Sequence, residues 1–382
     1  MKRNKVSSTV ITVIFISFTV IVGILNIPNI FSVKWKDLFK DKSFASAGNA
    51  YAENFAGKFY IVTAEGAIKK LFGTNEFNSV KRIKDADSKG QDVYVSSVDY
   101  VYDYNVKAQS VINLYSSLKE KGIDFVYVQM PHEISSSDSG TVDDYSNIMA
   151  DGTLGFMCEN DVPYIDMRET VNNYFPNYYD AFYITDHHWT VEASFFAFID
   201  LIKFIDKDNE IPSSYIDRNS YEYRNLDDKF LGSNGRRVGP VYSTFDSYGI
   251  LLPTFSTDYK STRDDCEFKG SFEEVFIDYD YVSGDNYYEK EQFNTYLGDE
   301  AGKITILNDN APSQKKVLIF RDSYARPIIS YMSTCFERVD AIDLRHTDMK
   351  VSELVNYDDY DIVIVAYCPY MFEYNFMFDF EE

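Results

Sequence analysis

Apolar stretches with helical spacing alternate with short apolar stretches that fit strands along most of the chain. Between Asp103 and Gly122, apolar residues recur at helical intervals, which predicts a helix that the glycine ends. The run FVYVQM that follows, residues 125–130, predicts a buried strand. Further strands are predicted over 164–167, 304–307, 317–320, 339–344 and 362–366, and further helices after Thr190, over 327–336 and over 351–355. Strands separated by helices indicate an α/β fold in which helices cover both faces of a parallel sheet.

The region between about residues 206 and 312 interrupts this alternation. It is rich in Tyr, Asp, Ser and Gly, and strands are predicted within it over 275–282 and 304–307. A block of this length predicts a β-containing insertion or lid within the domain. We expect the domain to span residues 91–382, and the mixed, polar residues 28–90 to form a stalk that leads into it.

The amino-terminal residues have the pattern of a membrane anchor. Residues 9–27 carry no charge, and Lys2, Arg3 and Lys5 precede them. A helix that spans a bilayer needs roughly 20 apolar residues, and the positive-inside rule keeps residues 1–8 in the cytoplasm. The sequence therefore predicts a single-pass cell-membrane protein with an extracytoplasmic C-terminal domain. A cleaved signal peptide and a secreted protein are the alternative, but the small residues 45–47 lie far beyond the apolar run.

Composition narrows the choice of partners. The chain has 60 acidic and 37 basic residues and a formal net charge of −23, so its surface should repel nucleic acid and anionic lipid headgroups. A neutral partner fits better. Aromatic residues make up 17% of the chain, and exposed rings of this kind either stack on sugars or tile a polar surface. Four cysteines without CxxC spacing are compatible with two disulfides or with free thiols: Cys158, Cys266, Cys335 and Cys368.

The stretch ITDHHWT, residues 184–190, contains two of the chain's four histidines. In an extended stretch alternate residues share a face, so Asp186 and His188 would lie together and His187 would face away. A carboxylate beside an imidazole fixes its tautomer and stabilises the cation that forms when the ring takes up a proton. Trp189 would wall such a site and exclude water. The alternative is an Asp-His pair that ties a strand to a helix; a metal site is disfavoured because adjacent histidines diverge.

The stretch VLIFRDSYARP, residues 317–327, supplies a candidate nucleophile. Ser323 follows a predicted strand directly and precedes a helix, which places its hydroxyl at the carboxyl edge of a parallel sheet. Free amides at the start of that helix would stabilise the oxyanion formed when a serine attacks a carbonyl. An ordinary helix cap is the alternative, but the pairing with Asp186 and His188 favours a catalytic serine.

These motifs together resemble the DHHW family of Gram-positive extracytoplasmic proteins. The resemblance is carried by DHHW in ITDHHWT, by DSYA in RDSYA, by AIDLRH at 341–346 and YDIVIVAY at 360–367, and by YLGDEAGKITILN at 296–308. The DHHW family is similar to the alginate O-acetylation proteins, which have a circularly permuted domain like that of the SGNH hydrolases. The resemblance therefore implies a flavodoxin-like parallel sheet in which Asp-x-His precedes the serine along the chain.

The resemblance also implies a role for each matching residue. Ser323 would be the nucleophile, His188 the general base and acid, and Asp186 the residue that orients His188, whereas His187 falls on a variable position and should be dispensable. Arg321 departs from the pattern, since SGNH-type proteins usually have Gly before Asp-Ser. By analogy, the backbone amides of Ser323 and Tyr324 would bind the oxyanion.

Four further side chains near these motifs are candidates for substrate binding: Trp189, Arg321, Tyr324 and Arg326.

The sequence thus predicts an extracytoplasmic O-acetyltransferase that acts on a cell-surface or secreted polysaccharide, with no metal or other cofactor. The resemblance implies an acetyl donor supplied across the membrane by a membrane-bound O-acyltransferase. A carbohydrate acetyl esterase would use the same three residues, with water in place of the sugar hydroxyl. A non-catalytic protein for glycan binding or wall assembly is the alternative of a different class.

Overall fold

The computed structural model describes residues 20–27, 55–138, 144–282, 287–298 and 301–380, together with residues 13, 16 and 17. The chain divides into two compact units, Met1–Gly73 and Thr74–Glu382. The second unit therefore begins before residue 91, where the sequence analysis places the start of the domain.

In the first unit, helix α1 spans Lys58–Leu71. The side chain of Asn26 accepts a hydrogen bond of 2.7 Å from the amide of Ala56. Within the described residues, no helix has the length and apolar character needed to cross a membrane. The predicted anchor, residues 9–27, lies partly outside the described residues, so it stays a prediction.

The second unit is a mixed α/β domain. Its helices are α2 (Tyr104–Lys121), α3 (Ser146–Glu159), α4 (Met167–Tyr174), α5 (Val191–Ile205), α6 (Ser233–Val238), α7 (Phe272–Phe276), α8 (Arg326–Met332) and α9 (Val351–Leu354). Its strands are β1 (Glu76–Phe77), β2 (Val80–Ile83), β3 (Val93–Val95), β4 (Asp124–Gln129), β5 (Tyr164–Asp166), β6 (Tyr221–Phe230), β7 (Asp246–Pro253), β8 (Tyr259–Arg263), β9 (Cys266–Gly270), β10 (Lys303–Leu307), β11 (Ser313–Arg321), β12 (Phe336–Ile342) and β13 (Ile362–Tyr367).

The main sheet has eight strands in the order β5-β4-β13-β11-β12-β10-β8-β9. The first five are parallel to one another, and the last three continue the sheet in antiparallel pairs. Strand β13 is wholly buried, and β11 is buried from residue 317 to its end, which fits a sheet covered on both faces. The parallel sheet predicted from the alternating pattern is therefore confirmed for five strands, and three antiparallel strands extend it.

The predicted helix boundaries agree with the capping groups. Asp103 accepts hydrogen bonds from the amides that begin α2, and Gly122 ends this helix in the left-handed conformation, with φ of 74°. Thr190 caps α5 by accepting a hydrogen bond of 3.2 Å from the amide of Ala193. Since α5 starts directly after the DHHW stretch, its cap fixes where that stretch ends.

The expected insertion, residues 206–312, plays two parts in the fold. Its strands β6 and β7 form a separate two-stranded sheet, whereas β8, β9 and β10 extend the main sheet. The strand predicted over 275–282 is wrong, because α7 occupies 272–276. Ser271 and Glu274 form a reciprocal capping box at the start of α7, and the side chains of Phe272, Val275 and Phe276 are buried at helical spacing.

All four cysteines are free thiols. Cys158 and Cys266 are exposed, and Cys335 and Cys368 are buried.

Candidate active site

The candidate nucleophile lies at the carboxyl edge of the parallel strands. Strand β11 ends at Arg321, and Ser323 begins a short turn, Ser323–Ala325, that leads into α8. The side chain of Asp322 caps this turn by accepting a hydrogen bond of 2.8 Å from the amide of Tyr324. Ser323 itself is half-buried, so its hydroxyl is accessible.

Asp186, His188 and Ser323 form a continuous chain of hydrogen bonds. Nε2 of His188 lies 2.8 Å from Oγ of Ser323, and Nδ1 of His188 lies 2.5 Å from Oδ1 of Asp186. The same Oδ1 also accepts a hydrogen bond of 2.9 Å from the backbone amide of His188. The structure thus brings together the three residues that the sequence selected, although 135 positions separate His188 from Ser323.

The DHHW stretch is a tight hairpin and not an extended strand. Phe182 and Trp189 pair across it, and the amide of Thr190 donates to the carbonyl of Ala181 over 2.8 Å. His187 therefore does not face away as expected. Its ring centroid lies 3.9 Å from that of His188, and its Nδ1 lies 3.7 Å from Oδ1 of Asp186.

The insertion supplies a further hydrogen-bond donor to the Asp186 carboxylate. Its Oδ2 accepts a hydrogen bond of 2.6 Å from the amide of Ser233, and the hydroxyl of Ser233 lies 2.7 Å from Nδ1 of His187. Burial would raise the pKa of Asp186, but electrostatic interactions with His188 and His187 and the hydrogen bonds from His188 and from the amide of Ser233 lower it well below its ordinary value. The carboxylate is therefore ionised at neutral pH, as the orienting group of a catalytic histidine must be.

Gly232 permits this approach of the insertion to Asp186. A Cβ atom at position 232 would lie 2.2 Å from Cβ of Asp186 and 2.5 Å from the carbonyl oxygen of Thr185. The backbone φ of Gly232 is −68°, which any residue adopts. Space, and not backbone conformation, therefore requires glycine here.

A second carboxylate holds the start of the hairpin. Asp246 accepts hydrogen bonds from the amides of Ile184 over 2.8 Å and Thr185 over 2.9 Å, and also from the Thr185 hydroxyl. Asp246, Ile184 and Thr190 also line a cavity of about 1120 Å³ beside the hairpin. The hairpin that carries Asp186 is thus fixed at its first residues by β7.

One face of the His188 ring is covered by Phe293. The two rings are stacked, with centroids 3.8 Å apart and planes 7° from parallel. Phe293 is itself buried, so the contact shields the imidazole from water. No local motif links four of these positions to the DHHW stretch, so their part in the site could not be predicted from the sequence: Gly232, Ser233, Asp246 and Phe293.

The four side chains expected to bind substrate are almost completely buried: Trp189 0%, Tyr324 0%, Arg321 1% and Arg326 2% exposed. Nε1 of Trp189 donates to the carbonyl of Tyr324 over 3.0 Å, and the Tyr324 hydroxyl donates to the carbonyl of His187. Arg321 pairs with Asp343 at 2.9 Å, and Arg326 donates to Asn294. Their burial argues against direct contact of these four side chains with the substrate. Their contacts instead support the residues around the site.

Of the two backbone amides expected to bind the oxyanion, one already has a hydrogen-bond acceptor. The amide of Tyr324 is engaged by Asp322, whose other oxygen accepts a hydrogen bond of 2.6 Å from the amide of Cys368. This leaves the Ser323 amide as the predicted donor, and Asp322 as the residue that fixes the turn around it.

The buried Glu133 forms a second polar cluster at the same edge of the sheet, just after β4. Its carboxylate accepts hydrogen bonds from the amide of Ser96 over 2.7 Å and from Nδ2 of Asn234 over 3.0 Å. Burial raises the pKa of Glu133 to about 8, although these donors act in the opposite direction. Asn234 follows Ser233 directly, so this cluster adjoins the support of Asp186.

The potential metal-ligand atoms of Asp186, His187 and His188 lie within 4.8 Å of one another. The separation of 2.5 Å between Asp186 and His188 is that of a hydrogen bond. Atoms that each bind one zinc ion at about 2.0–2.2 Å in tetrahedral geometry stand farther apart. The spacing therefore fits a hydrogen-bonded pair better than a pair of metal ligands.

Comparison with known proteins gives matches among solved structures. No protein-family model and no curated protein matches the sequence. A structure of Bacillus cereus PatB1 with a sulfonyl adduct has a TM-score of 0.61 at 18% identity, covering 80% of this chain and 100% of that chain. A DHHW family protein from Eubacterium siraeum has a TM-score of 0.60 at 15% identity, covering 78% of this chain and 93% of that chain. The O-acetyltransferase domain of Pseudomonas putida AlgJ has a TM-score of 0.43 at 9% identity, with coverages of 78% and 93%.

The chain therefore shares the fold of PatB1 and of a DHHW family protein. This likeness agrees with the resemblance predicted from the sequence. The circular permutation that the resemblance implies stays a prediction.

Proposed function

We propose that this chain, which shares its fold with a DHHW family protein, is an extracytoplasmic O-acetyltransferase that modifies a polysaccharide. One observation carries the proposal. Nε2 of His188 lies 2.8 Å from Oγ of Ser323, and Nδ1 of His188 lies 2.5 Å from an ionised, buried Asp186. This is the order nucleophile, base and orienting acid that serine-dependent acyl transfer requires.

In the first half of the reaction, Ser323 would take the acetyl group from a donor. His188 accepts the proton of the Ser323 hydroxyl as Oγ attacks the carbonyl carbon of the donor. A new ester bond forms at Oγ, the bond between the acetyl group and the donor breaks, and His188 returns the proton to the leaving group. Asp186 stabilises the imidazolium in between.

In the second half, a sugar hydroxyl would replace the donor. His188 takes the proton of that hydroxyl, whose oxygen attacks the acetyl carbonyl carbon, and the bond to Oγ of Ser323 breaks. Oγ recovers the proton from His188, so the enzyme is regenerated and the sugar carries the ester. The cover of Phe293 over His188 supports transfer, because it limits the access of water to the base.

The apolar amino-terminal residues support a membrane anchor, and with it an extracytoplasmic location of the domain that follows. The side chains of Val13, Ile16, Val20, Ile21, Ile24 and Leu25 are all more than half exposed. Exposed apolar side chains of this kind fit contact with lipid better than contact with water. We propose that this segment anchors the protein, and that a membrane-bound O-acyltransferase delivers the acetyl group on the outer side.

Covalent labelling of the serine tests the proposal. A sulfonyl fluoride should modify Ser323, and hydrolysis of a small activated acetyl ester should fall at least about a thousandfold in Ser323→Ala and in His188→Ala. Ser117→Ala, which removes an exposed serine on α2, is the matched control and should keep full activity. Peptide mass spectrometry locates the adduct.

Wild-type protein that reacts no faster than the Ser323→Ala variant would refute a catalytic role and favour the non-catalytic alternative. Acetylated oligosaccharide in the product separates a transferase from an esterase, since an esterase releases only acetate.

A further inference from the structure

A small cavity lies beside Tyr370, whose ring contacts the DHHW hairpin. It has a volume of about 200 Å³ and is bounded by the loop after β3 and the turn after β13. Three tyrosines, Tyr100, Tyr102 and Tyr370, line it together with Asp99 and Glu373. Its size suits one sugar ring.

Tyr370 connects this cavity to the DHHW hairpin. Its ring lies 5.8 Å from that of His187 at an interplanar angle of 80°, and His187 packs directly against His188. A ligand seated against the cavity face of Tyr370 is therefore separated from the proposed base by two side chains only.

The loop that carries Tyr100 and Tyr102 is fixed to the site by hydrogen bonds. The hydroxyl of Ser96 lies 2.9 Å from that of Tyr370 and donates to Glu133 over 3.1 Å. Glu133 in turn accepts from Asn234, the neighbour of the residue that holds Asp186. The cavity wall and the Asp186 support are therefore parts of one bonded network.

The chemistry of the lining is selective. Tyr100 is 68% exposed, and its ring meets that of Tyr102 at a centroid distance of 6.4 Å, so an aromatic surface faces the solvent. Asp99 and Glu373 are exposed carboxylates that accept hydrogen bonds from hydroxyl or amino groups. Among the described residues that line the cavity there is no lysine or arginine.

The geometry points to an acceptor subsite that takes an uncharged or amino sugar of the polysaccharide and rejects sugars that carry a carboxylate. The inference rests on the proposed acetyl transfer and names the class of acceptor. The sugar ring stacks on the tyrosines while Asp99 and Glu373 bind its polar groups. A uronate would meet two like charges on a chain whose net charge is already −23.

Tyrosine variants test the aromatic wall. The assay uses a chito-oligosaccharide as acceptor and an activated acetyl ester as donor. Tyr100→Ala and Tyr102→Ala should each raise the KM for the acceptor about tenfold, because each removes an aromatic contact that becomes buried when the sugar binds. The ratio of transfer to hydrolysis should fall with it. Tyr279→Ala is the matched control, because it removes a tyrosine that is 42% exposed and lines neither this cavity nor the larger one beside the hairpin.

Acceptor charge tests the selectivity. An oligomer of mannuronate should be acetylated at least about tenfold more slowly than the chito-oligosaccharide at low salt, and added salt should narrow the difference by screening. The double variant Asp99→Asn and Glu373→Gln should improve use of the mannuronate oligomer.

The outcomes separate the two proposals. No labelling of Ser323 by the sulfonyl fluoride would refute the proposed function. If Ser323 is labelled but the rate of acetyl transfer to the sugar is the same in the wild type, Tyr100→Ala and Tyr102→Ala, the proposed subsite alone would be overturned. Equal or faster transfer to the mannuronate oligomer would overturn the inferred acceptor class.

Discussion

His187 lies at the centre of the hairpin between the orienting acid and the base. Its ring packs 3.9 Å from His188, and its Nδ1 shares a hydrogen bond with Ser233. Burial first, and then the charge of His188, lower the pKa of His187 to about 3. His187 is therefore neutral at neutral pH and leaves the Asp186 charge to stabilise protonated His188.

The contacts of His187 predict a measurable but secondary effect on activity. His187→Ala should lower kcat for ester hydrolysis about tenfold, because the unsupported His188 ring gains freedom. His188→Ala should cost at least about a thousandfold. Steady-state kinetics with matched circular dichroism spectra would check this, and full activity in His187→Ala would restore the expectation from the sequence that this residue is dispensable.

His132 gives a prediction about pH at the same scale. Burial lowers the pKa of His132 to about 4, although the charge of Asp144 opposes the shift. In the unfolded chain, a histidine has a pKa of about 6.5. Between these two pKa values the unfolded chain binds a proton that the folded chain does not. The contribution of His132 to the free energy of unfolding is therefore fully present above about pH 6.5 and is lost as the pH decreases towards 4.

We therefore expect the melting temperature of the wild type to drop more than that of His132→Gln between pH 7 and 4.5. Glutamine keeps an acceptor for the amide of Ile134, which donates to Nδ1 of His132 over 3.1 Å, but it does not titrate. If the melting temperatures of the wild type and of His132→Gln fell by the same amount between pH 7 and 4.5, the lowered pKa of His132 would be contradicted.

Among the elements, the short segment before and at the start of α6 contributes most to the site without belonging to a motif. Gly232→Ala should disrupt activity, because the added Cβ would lie 2.2 Å from Cβ of Asp186. We expect kcat to fall about a hundredfold, with a loss of about 1–3 kcal/mol in the free energy of unfolding.

The matched control is Gly155→Ala in α3, where an added Cβ meets no atom within 4 Å. This variant should keep its activity and gain up to about 1 kcal/mol of stability, because alanine favours helix. Kinetics and urea unfolding of the two variants would test the difference. Equal activity in both would show that the approach of the insertion to Asp186 is unimportant.

The elements also explain which parts of the site were predictable. Ser323 and the DHHW hairpin were selected because each lies between a strand and a helix, a position that local sequence patterns reveal. Ser233 and Phe293 were missed because they come from the irregular insertion, whose approach to His188 depends on tertiary packing. The strand predicted over 275–282 failed because the Ser271 cap and the buried stripe of α7 outweigh its β-branched and aromatic content.

For the whole molecule, the alternating pattern was enough to predict the parallel strands of the sheet but not the antiparallel strands that extend it. Strands β8, β9 and β10 lie in the region expected as an appended insertion, yet they form one side of the eight-stranded sheet. Strand β10 was predicted over 304–307, but the short, mixed sequences of β8 and β9 carry little signal, since antiparallel strands at a sheet edge need only one buried face. The insertion therefore belongs to the frame that holds the site.

The place of β13 in the sheet has a consequence for synthesis. Among the strands that the structure describes, β13 comes last in sequence, but it lies between β4 and β11 and pairs with both. A nascent polypeptide that lacks the residues after 360 has no central strand to join its two halves, so Ser323 and His188 cannot be held together. Pairings of such long sequence separation form late in folding. The proposed acyl-transfer chemistry therefore requires that synthesis has passed Tyr367, the last residue of β13, and products truncated before β13 would be inert as well as prone to proteolysis.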